Sequence, residues 1–288
     1  MINIIAKEPI ERGWSCDQKY RAIAEEGTSY FLRITPKEKS GTREPLFRLL
    51  QQVETLGIPM CRPVEFGTCS EGVYMLLTWI DGEDARTVMP RLSLSEQYGY
   101  GRKAGMILKK LHSIPAPESQ PDWEERFNRK IDTKIRMYHD CPIRFEGDAH
   151  LLRYLAENRH LLKNRPQCFQ HGDYHIGNMM IENGKIVIID FDRYDFGDPW
   201  EEFNRIVWCA QESPHFAAGI VDGYFNDQIP TEFWRLLALY IGSNTLGSVP
   251  WAIPFGEGEI TVMLNQAKDV LSWYDNMKNP VPSWYKSM

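Results

Sequence analysis

At 288 residues, 43% of them hydrophobic and 25% charged, the chain has the length of about two domains and the composition of an ordinary globular protein. A formal charge of −6 argues against nucleic acid as the main partner, because neutralising phosphates needs a basic face, and no run approaches the roughly 18 to 20 uninterrupted apolar residues of a membrane span. The start, MINIIAKEPIERGW, lacks the basic and apolar regions of a signal peptide, so a cytoplasmic protein with no membrane partner is expected; the six scattered cysteines, without a C-x-x-C pair, speak against a disulfide framework or a structural zinc.

KYRAIAEEGTSYFLRIT carries two apolar-aromatic runs around Glu25, Glu26, Gly27 and Thr28, which predicts a hairpin. In REPLFRLLQQVETLGI, Leu46, Leu49, Leu50, Val53 and Leu56 recur at helical spacing, and Gly57 and Pro59 close the helix. VEFGTCSEGVYMLLTWI returns to strands around a Ser-Glu-Gly turn. After DGEDA long amphipathic helices take over: SEQYGYGRKAGMILKKLHSI, with Ser95 as its cap, then LLRYLAENRHLLKN and EEFNRIVWCAQ. One hairpin interrupts them, NMMIENGKIVIIDF, marked by Asn183-Gly184. The expectation is an α+β fold. A small N-terminal antiparallel sheet with one helix occupies residues 1–80, a connection lies at about 77–84, and a larger, mostly helical lobe covers 85–288.

Chemistry concentrates in FQHGDYHIGNMMIENGKIVIIDFDRYDFGDP, from Phe169 to Pro199. Phosphoryl transfer needs an oriented acceptor hydroxyl, metal ions on the phosphate oxygens and a clamp on the nucleotide. HGDYHIGN supplies a carboxylate able to accept a hydrogen bond from a hydroxyl and, five residues later, an Asn whose amide oxygen can ligate Mg²⁺. The apolar strand Ile186–Ile189 delivers Asp190 as a second hard oxygen donor.

The pattern H-G-D-x-x-x-x-N followed by I-D-F-D resembles the catalytic segment of the aminoglycoside phosphotransferase family, which includes choline-kinase-like enzymes with a bilobal, protein-kinase-like fold. The resemblance implies that Asp173 orients or deprotonates the acceptor hydroxyl, His171 braces the loop, and Asn178 and Asp190 hold Mg²⁺. It also implies ATP or GTP as donor. Asp192 is expected to assist at the metal or face the substrate, and Asp198 to fix the loop or face the substrate. In the N-terminal lobe, Arg33 stands where the family carries a lysine and is expected to pair with Glu44 and neutralise phosphate charge. Ser15, in ERGWSCDQKY, falls where the family has its phosphate-covering loop. The Thr78 carbonyl and the Ile80 amide fall at the adenine-binding segment, with Phe31 against the purine.

Between Asp192 and Glu259 the sequence holds eleven Asp or Glu against three Arg, a formal −8. Such an excess favours a cationic acceptor, with Glu201 and Glu202 among the candidate substrate contacts and Trp200, Trp208, Trp234 and Trp251 as stacking faces. An amino sugar is the first choice, and choline or a related amino alcohol the second. A catalytically silent nucleotide-binding module is the competing class, against which the intact Asp173, Asn178 and Asp190 speak. His112 is expected to serve packing, and His175 to touch substrate or phosphate.

Overall fold

The computed structural model describes residues 2–11 and 17–286. In chain order its elements are β1 (Ile4–Pro9), β2 (Gln18–Ala24), β3 (Ser29–Pro36), α1 (Arg43–Glu54), β4 (Pro63–Cys69), β5 (Gly72–Thr78), β6 (Glu83–Asp84) and α2 (Ala85–Val88). There follow α3 (Leu94–Leu111), α4 (Trp123–Asp140), α5 (Asp148–Asn158), β7 (Cys168–Gln170), β8 (Met179–Glu182), β9 (Lys185–Ile188) and β10 (Asp195–Gly197). The chain then continues as α6 (Ile206–Glu212), α7 (Pro214–Phe225), α8 (Thr231–Ala252) and α9 (Glu257–Trp273). Two compact units result, Met1–Val88 with Asn178–Asp192, and Met89–Gly177 with Arg193–Met288.

In the first unit five strands form an antiparallel sheet in the order β1-β2-β3-β5-β4. The β2–β3 turn places Gly27 at φ +85, a left-handed conformation that costs glycine nothing. Ala22, Leu32, Ile34 and Leu76 form one apolar cluster, with Tyr20, Tyr30 and Tyr74 packed against it. Side chains alternate along a strand, so Phe31 and Arg33 point to the face of β3 opposite Leu32 and Ile34. Helix α1 lies against β4 and β5 and buries Leu46, Phe47, Leu50 and Val53. The β8–β9 hairpin turns through Asn183 at φ +50 and Gly184 at φ +71, both central residues left-handed as a type I′ turn requires. β8 also pairs with β6, giving a second sheet β6-β8-β9. That pairing draws residues 178–192 into the first unit beside the expected lobe of residues 1–80, because strand pairing between distant segments is invisible to local pattern.

In the second unit α3 starts at Ser93, whose hydroxyl and backbone form a reciprocal capping box with Glu96. The expected cap, Ser95, lies two residues further on, inside the helix. Helices α3 and α7 approach until glycine faces backbone: a methyl on Gly105 would stand 2.1 Å from the Ile220 carbonyl oxygen. The segment Thr231–Phe255 is long and apolar enough to cross a membrane by length and composition, but 67% of its most apolar window is buried inside the protein. It is a core helix, packed by α4, α5 and α9. Cys61, Cys69, Cys141, Cys168 and Cys209 are free thiols. The α+β class with an antiparallel N-terminal sheet and a helical remainder is as expected.

Candidate functional site

In the second unit β7 ends at Gln170 and the chain enters the loop that carries Asp173. His171 is fully buried, and its Nδ1 accepts the Asp173 N–H at 3.3 Å. The Gly172 N–H reaches both carboxylate oxygens of Glu202 at 3.1 Å, and the Tyr174 N–H donates to Glu202 Oε1 at 3.3 Å. Glu202, 2% exposed, is therefore a positioning residue and not the substrate contact expected of it. A lone buried carboxylate is costly unless donors satisfy it, and the loop amides do so. The Tyr174 hydroxyl donates to the Ala104 carbonyl of α3 at 2.7 Å, and the Ile176 N–H points at Cys209 Sγ of α6 at 3.3 Å.

Gly172 has φ +81, and a methyl there would stand 1.8 Å from the Arg193 carbonyl oxygen. Gly172→Ala must therefore displace the loop. Since a misplacement of ~1 Å costs about 10²-fold in rate, kcat is expected to fall by about that factor, together with a lowered melting temperature; a variant with wild-type turnover would show that the loop does not depend on this glycine.

Two guanidiniums and an imidazole surround the Asp173 carboxylate: Arg205 Nε at 3.3 Å, His175 Nε2 at 3.6 Å and Arg193 Nε at 4.0 Å. The Gly177 N–H donates to His175 Nδ1 at 3.0 Å, which leaves the proton of the neutral ring on Nε2, toward Asp173. Burial pushes the Asp173 carboxyl up, but the hydrogen bond from His175 and the charges of Arg205 and Arg193 outweigh it and hold the group well below the usual carboxylate range.

Asp198 is fully buried and accepts Arg165 Nε at 2.7 Å and Nη2 at 3.1 Å, the Tyr240 hydroxyl at 2.5 Å and the Trp200 N–H at 2.9 Å. Of its two expected roles, fixing the loop or facing the substrate, this geometry takes the first. Its own carbonyl receives Gln170 Nε2 at 2.8 Å, tying the end of β7 to the turn after β10. Glu201, another expected substrate contact, is 8% exposed and bonds Lys130 Nζ at 3.0 Å and Gln170 Nε2 at 3.2 Å.

The remaining acidic residues disperse likewise. Asp195 meets Arg126 at 3.1 Å, Asp222 accepts the hydroxyls of Tyr98 at 2.8 Å and Tyr285 at 2.7 Å, and Asp227 pairs with Arg102. Seven of the eleven carboxylates are thus taken up by internal donors, and a count along the chain overstates the field it produces. The Arg165 guanidinium covers the face of Trp200 at 3.9 Å, and Trp234 is buried against Tyr285. Trp208 is half-buried, 6.3 Å from the His175 ring.

In the first unit the Ile189 N–H donates to the Asn178 carbonyl at 3.0 Å, one step beyond the Met179–Ile188 pair. Asn178 and Asp190 therefore leave the same end of the β8–β9 hairpin. Asp190 is exposed and sits at φ +63, a left-handed conformation that Asp tolerates better than most residues and that turns it out of the strand. Among the described residues no three His, Cys, Asp or Glu side chains gather as a complete metal site.

Arg33 does not pair with Glu44. Its Nε lies 2.9 Å from Asp17 Oδ2 and its Nη1 bonds Asp192, while Arg43 reaches the same two carboxylates at 2.7 and 3.0 Å. Glu44 instead pairs with Arg48 one turn on, both exposed. The helical phase explains the correction: Arg43 shares a face with Phe47 and Leu50, four and seven residues ahead, which α1 turns toward the sheet, whereas Glu44 and Arg48 lie on the outer face. Asp192 is accordingly a member of a buried charge cluster and not a substrate contact. Burial raises its carboxyl, Asp190 and Asp17 push the same way, and Arg33 and Arg43 oppose them. Phe31 pairs with Leu77 in the β3–β5 ladder, Thr78 ends β5 with its hydroxyl accepting the Arg62 N–H at 2.9 Å, and Ile80 follows outside any regular element. Ser15 lies outside the described residues.

The model of the phosphotransferase enzyme family matches residues 8–237. The chain belongs to that family. This phosphotransferase has the fold of a thermostable mutant of aminoglycoside phosphotransferase APH(4)-Ia in ternary complex with ADP and hygromycin B, at 14% identity over 93% of this chain and 94% of that one, TM-score 0.66. It is similar to the gentamicin complex of APH(2")-IIa, at 16% identity over 92% and 91%, TM-score 0.65. It is equally similar to a choline/ethanolamine kinase family protein from Mesorhizobium loti, at 16% identity over 96% and 91%, TM-score 0.68. No curated protein matches the phosphotransferase by sequence.

Proposed function

We propose that this phosphotransferase moves the γ-phosphate of ATP to a hydroxyl group of a small molecule. The observation that carries the reading is Asp173, held in place by backbone bonds to His171 and Glu202 on either side of it and kept ionised by Arg205, His175 and Arg193. A carboxylate so fixed accepts the hydrogen bond of an incoming hydroxyl and aims its oxygen. Its depressed pKa makes it a weak base, so orientation comes first and the proton arrives as the new P–O bond forms.

Asn178 and Asp190 fit Mg²⁺: two hard oxygen donors at one hairpin end, too few for an all-protein cage, leave positions for water and for phosphate oxygens. Bound there with the nucleotide, the metal would neutralise charge developing on the transferred group. ATP is preferred as donor because the first neighbour named above holds ADP. GTP is the alternative.

Amino sugars, and after them choline-like amino alcohols, are acceptors suggested by the family neighbours; the acidic composition no longer adds to that suggestion. The test is nucleoside-diphosphate release with Mg·ATP and Mg·GTP across kanamycin, hygromycin B, choline, ethanolamine and neutral sugars. Stimulation that disappears with EDTA and in Asp173→Asn is expected; tight nucleotide binding with no stimulated release by any hydroxyl compound would favour the silent module instead.

A further inference from the structure

The second unit sets cations on the Glu201–Arg205 turn that reaches Asp173 and on the helix that packs against it. Lys130 and Lys134 project from α4, and Arg205 ends the turn Glu201–Arg205 that packs on α8. Glu201 is the carboxylate among them: Lys130 bonds it at 3.0 Å, and Lys134 and Arg205 both act on its charge. Lys134 itself is half-buried. The polar contact of its Nζ is the neutral amide oxygen of Asn244 at 3.4 Å, and its stem lies across Gly247 of α8, where an added methyl would come within 3.0 Å of it.

Lys130 pairs with Glu201, and Arg205 and Arg193 with Asp173, while Lys134 lies one helical turn beyond Lys130 against a neutral oxygen. Lys130, Arg205 and Arg193 are respectively 45%, 23% and 49% exposed at their side chains, so the row is open to a ligand. A half-buried lysine whose polar contact is a neutral oxygen holds its proton poorly, and a bound anion would restore it. Burial pushes Lys134 down to about 7, Lys130 and Arg205 push the same way, and Glu201 opposes them. Nothing in phosphoryl transfer at Asp173 requires a lysine on α4.

We infer that the acceptor carries an anionic group, a carboxylate or a phosphate ester, which Lys134 receives together with Lys130 and Arg205 while the acceptor's hydroxyl meets Asp173. This rests on the kinase reading above and sets an anionic acceptor in place of the amino sugars and amino alcohols suggested there: the donor's phosphorus–oxygen bond breaks, a bond from phosphorus to the hydroxyl oxygen forms, and the hydroxyl proton passes to Asp173, with the anionic group unchanged throughout.

The experiment follows ADP release with Mg·ATP in four arms: hydroxycarboxylates (glycerate, gluconate), phosphate esters (glycerol 3-phosphate, ribose 5-phosphate), cations (kanamycin, choline) and neutral polyols (glycerol, inositol). Wild type, Lys134→Met, Lys134→Arg and the Asp173→Asn blank are compared. Stimulation by an anionic arm is expected, and which of the two arms responds tells carboxylate from phosphate. Lys134→Met should raise KM for that acceptor at least ~10-fold, the loss falling on KM more than on kcat, and Lys134→Arg should recover most of it. The wild-type KM should climb above pH 7 as Lys134 loses its proton, facing Lys130, Glu201 and Arg205 as its charged neighbours and Asn244 as its neutral one. With Lys134→Arg that climb should vanish. Stimulation by cations or neutral polyols alone, or anion-driven turnover indifferent to Lys134→Met, overturns the inference and leaves the kinase reading standing. Release no greater than the Asp173→Asn blank in every arm overturns both.

Discussion

Asp173→Asn is expected to lower kcat by about 10³-fold while leaving the affinity for ATP unchanged. Asparagine preserves the size of the side chain and its backbone bond to His171, but it has no charge to answer Arg205, His175 and Arg193 and cannot take the hydroxyl proton. The loss should therefore fall on the chemical step and not on nucleotide binding. Single-turnover rates and equilibrium titration with ADP separate the two, and near-normal turnover would remove Asp173 from the reaction.

The same carboxyl makes a prediction about pH. Its folded pKa is depressed, so it contributes stability above the unfolded value of about 3.9 that is lost as pH falls through the folded value. Asp173 thus stays ionised across the neutral and mildly acid range, and an acid limb of kcat/KM above pH 5 would have to belong to another group.

Arg33→Ala is expected to destabilise the first unit by roughly 3–5 kcal/mol, the usual cost of removing one member of a buried ion cluster. Arg33 is 5% exposed and Asp17 8%, and without the arginine the two carboxylates keep Arg43 alone. For a chain of this size that is a fall of about 10 °C or more in the melting temperature. Saturating ATP should restore only part of it, because the lost partners are Asp17 and Asp192 and not a phosphate.

Arg33→Lys should fall between, since one ammonium cannot reproduce contacts made from both Nε and Nη1. A double-mutant cycle with Asp192→Asn should give a coupling of about 1 kcal/mol or more. Unchanged stability in Arg33→Ala would show the cluster to be without consequence; unchanged stability with a raised ATP KM would return Arg33 to the phosphate role read from the sequence.

The parts legible in advance share a short range. The β8–β9 hairpin follows from Asn183-Gly184 between apolar runs, α1 from leucines at helical spacing, and the Asp173 loop from residues only five apart. Illegible in the sequence are the roles of residues whose partners are distant along the chain. Glu202 lies 30 residues from the Gly172 amide it accepts, and nothing near it separates a buried acceptor from a solvated acid. Asp192 lies 159 residues from Arg33. A shift of one position in helical phase was enough to exchange Glu44 for Arg43.

The sequence by itself therefore determined the kinds of element, the hairpin that carries Asn178 and Asp190, and the loop that carries Asp173, because turn chemistry and periodicity are local. Only the tertiary structure decided what the charges do. Coulomb and hydrogen-bond energies depend on distance and burial, so of eleven acidic residues that read along the chain as one field, folding gives seven, Asp192, Asp195, Asp198, Glu201, Glu202, Asp222 and Asp227, their own internal donors. The same folding brings Lys130, 75 positions from Arg205 in the chain, onto Glu201 of the turn whose Arg205 meets Asp173, with Lys134 one helical turn away.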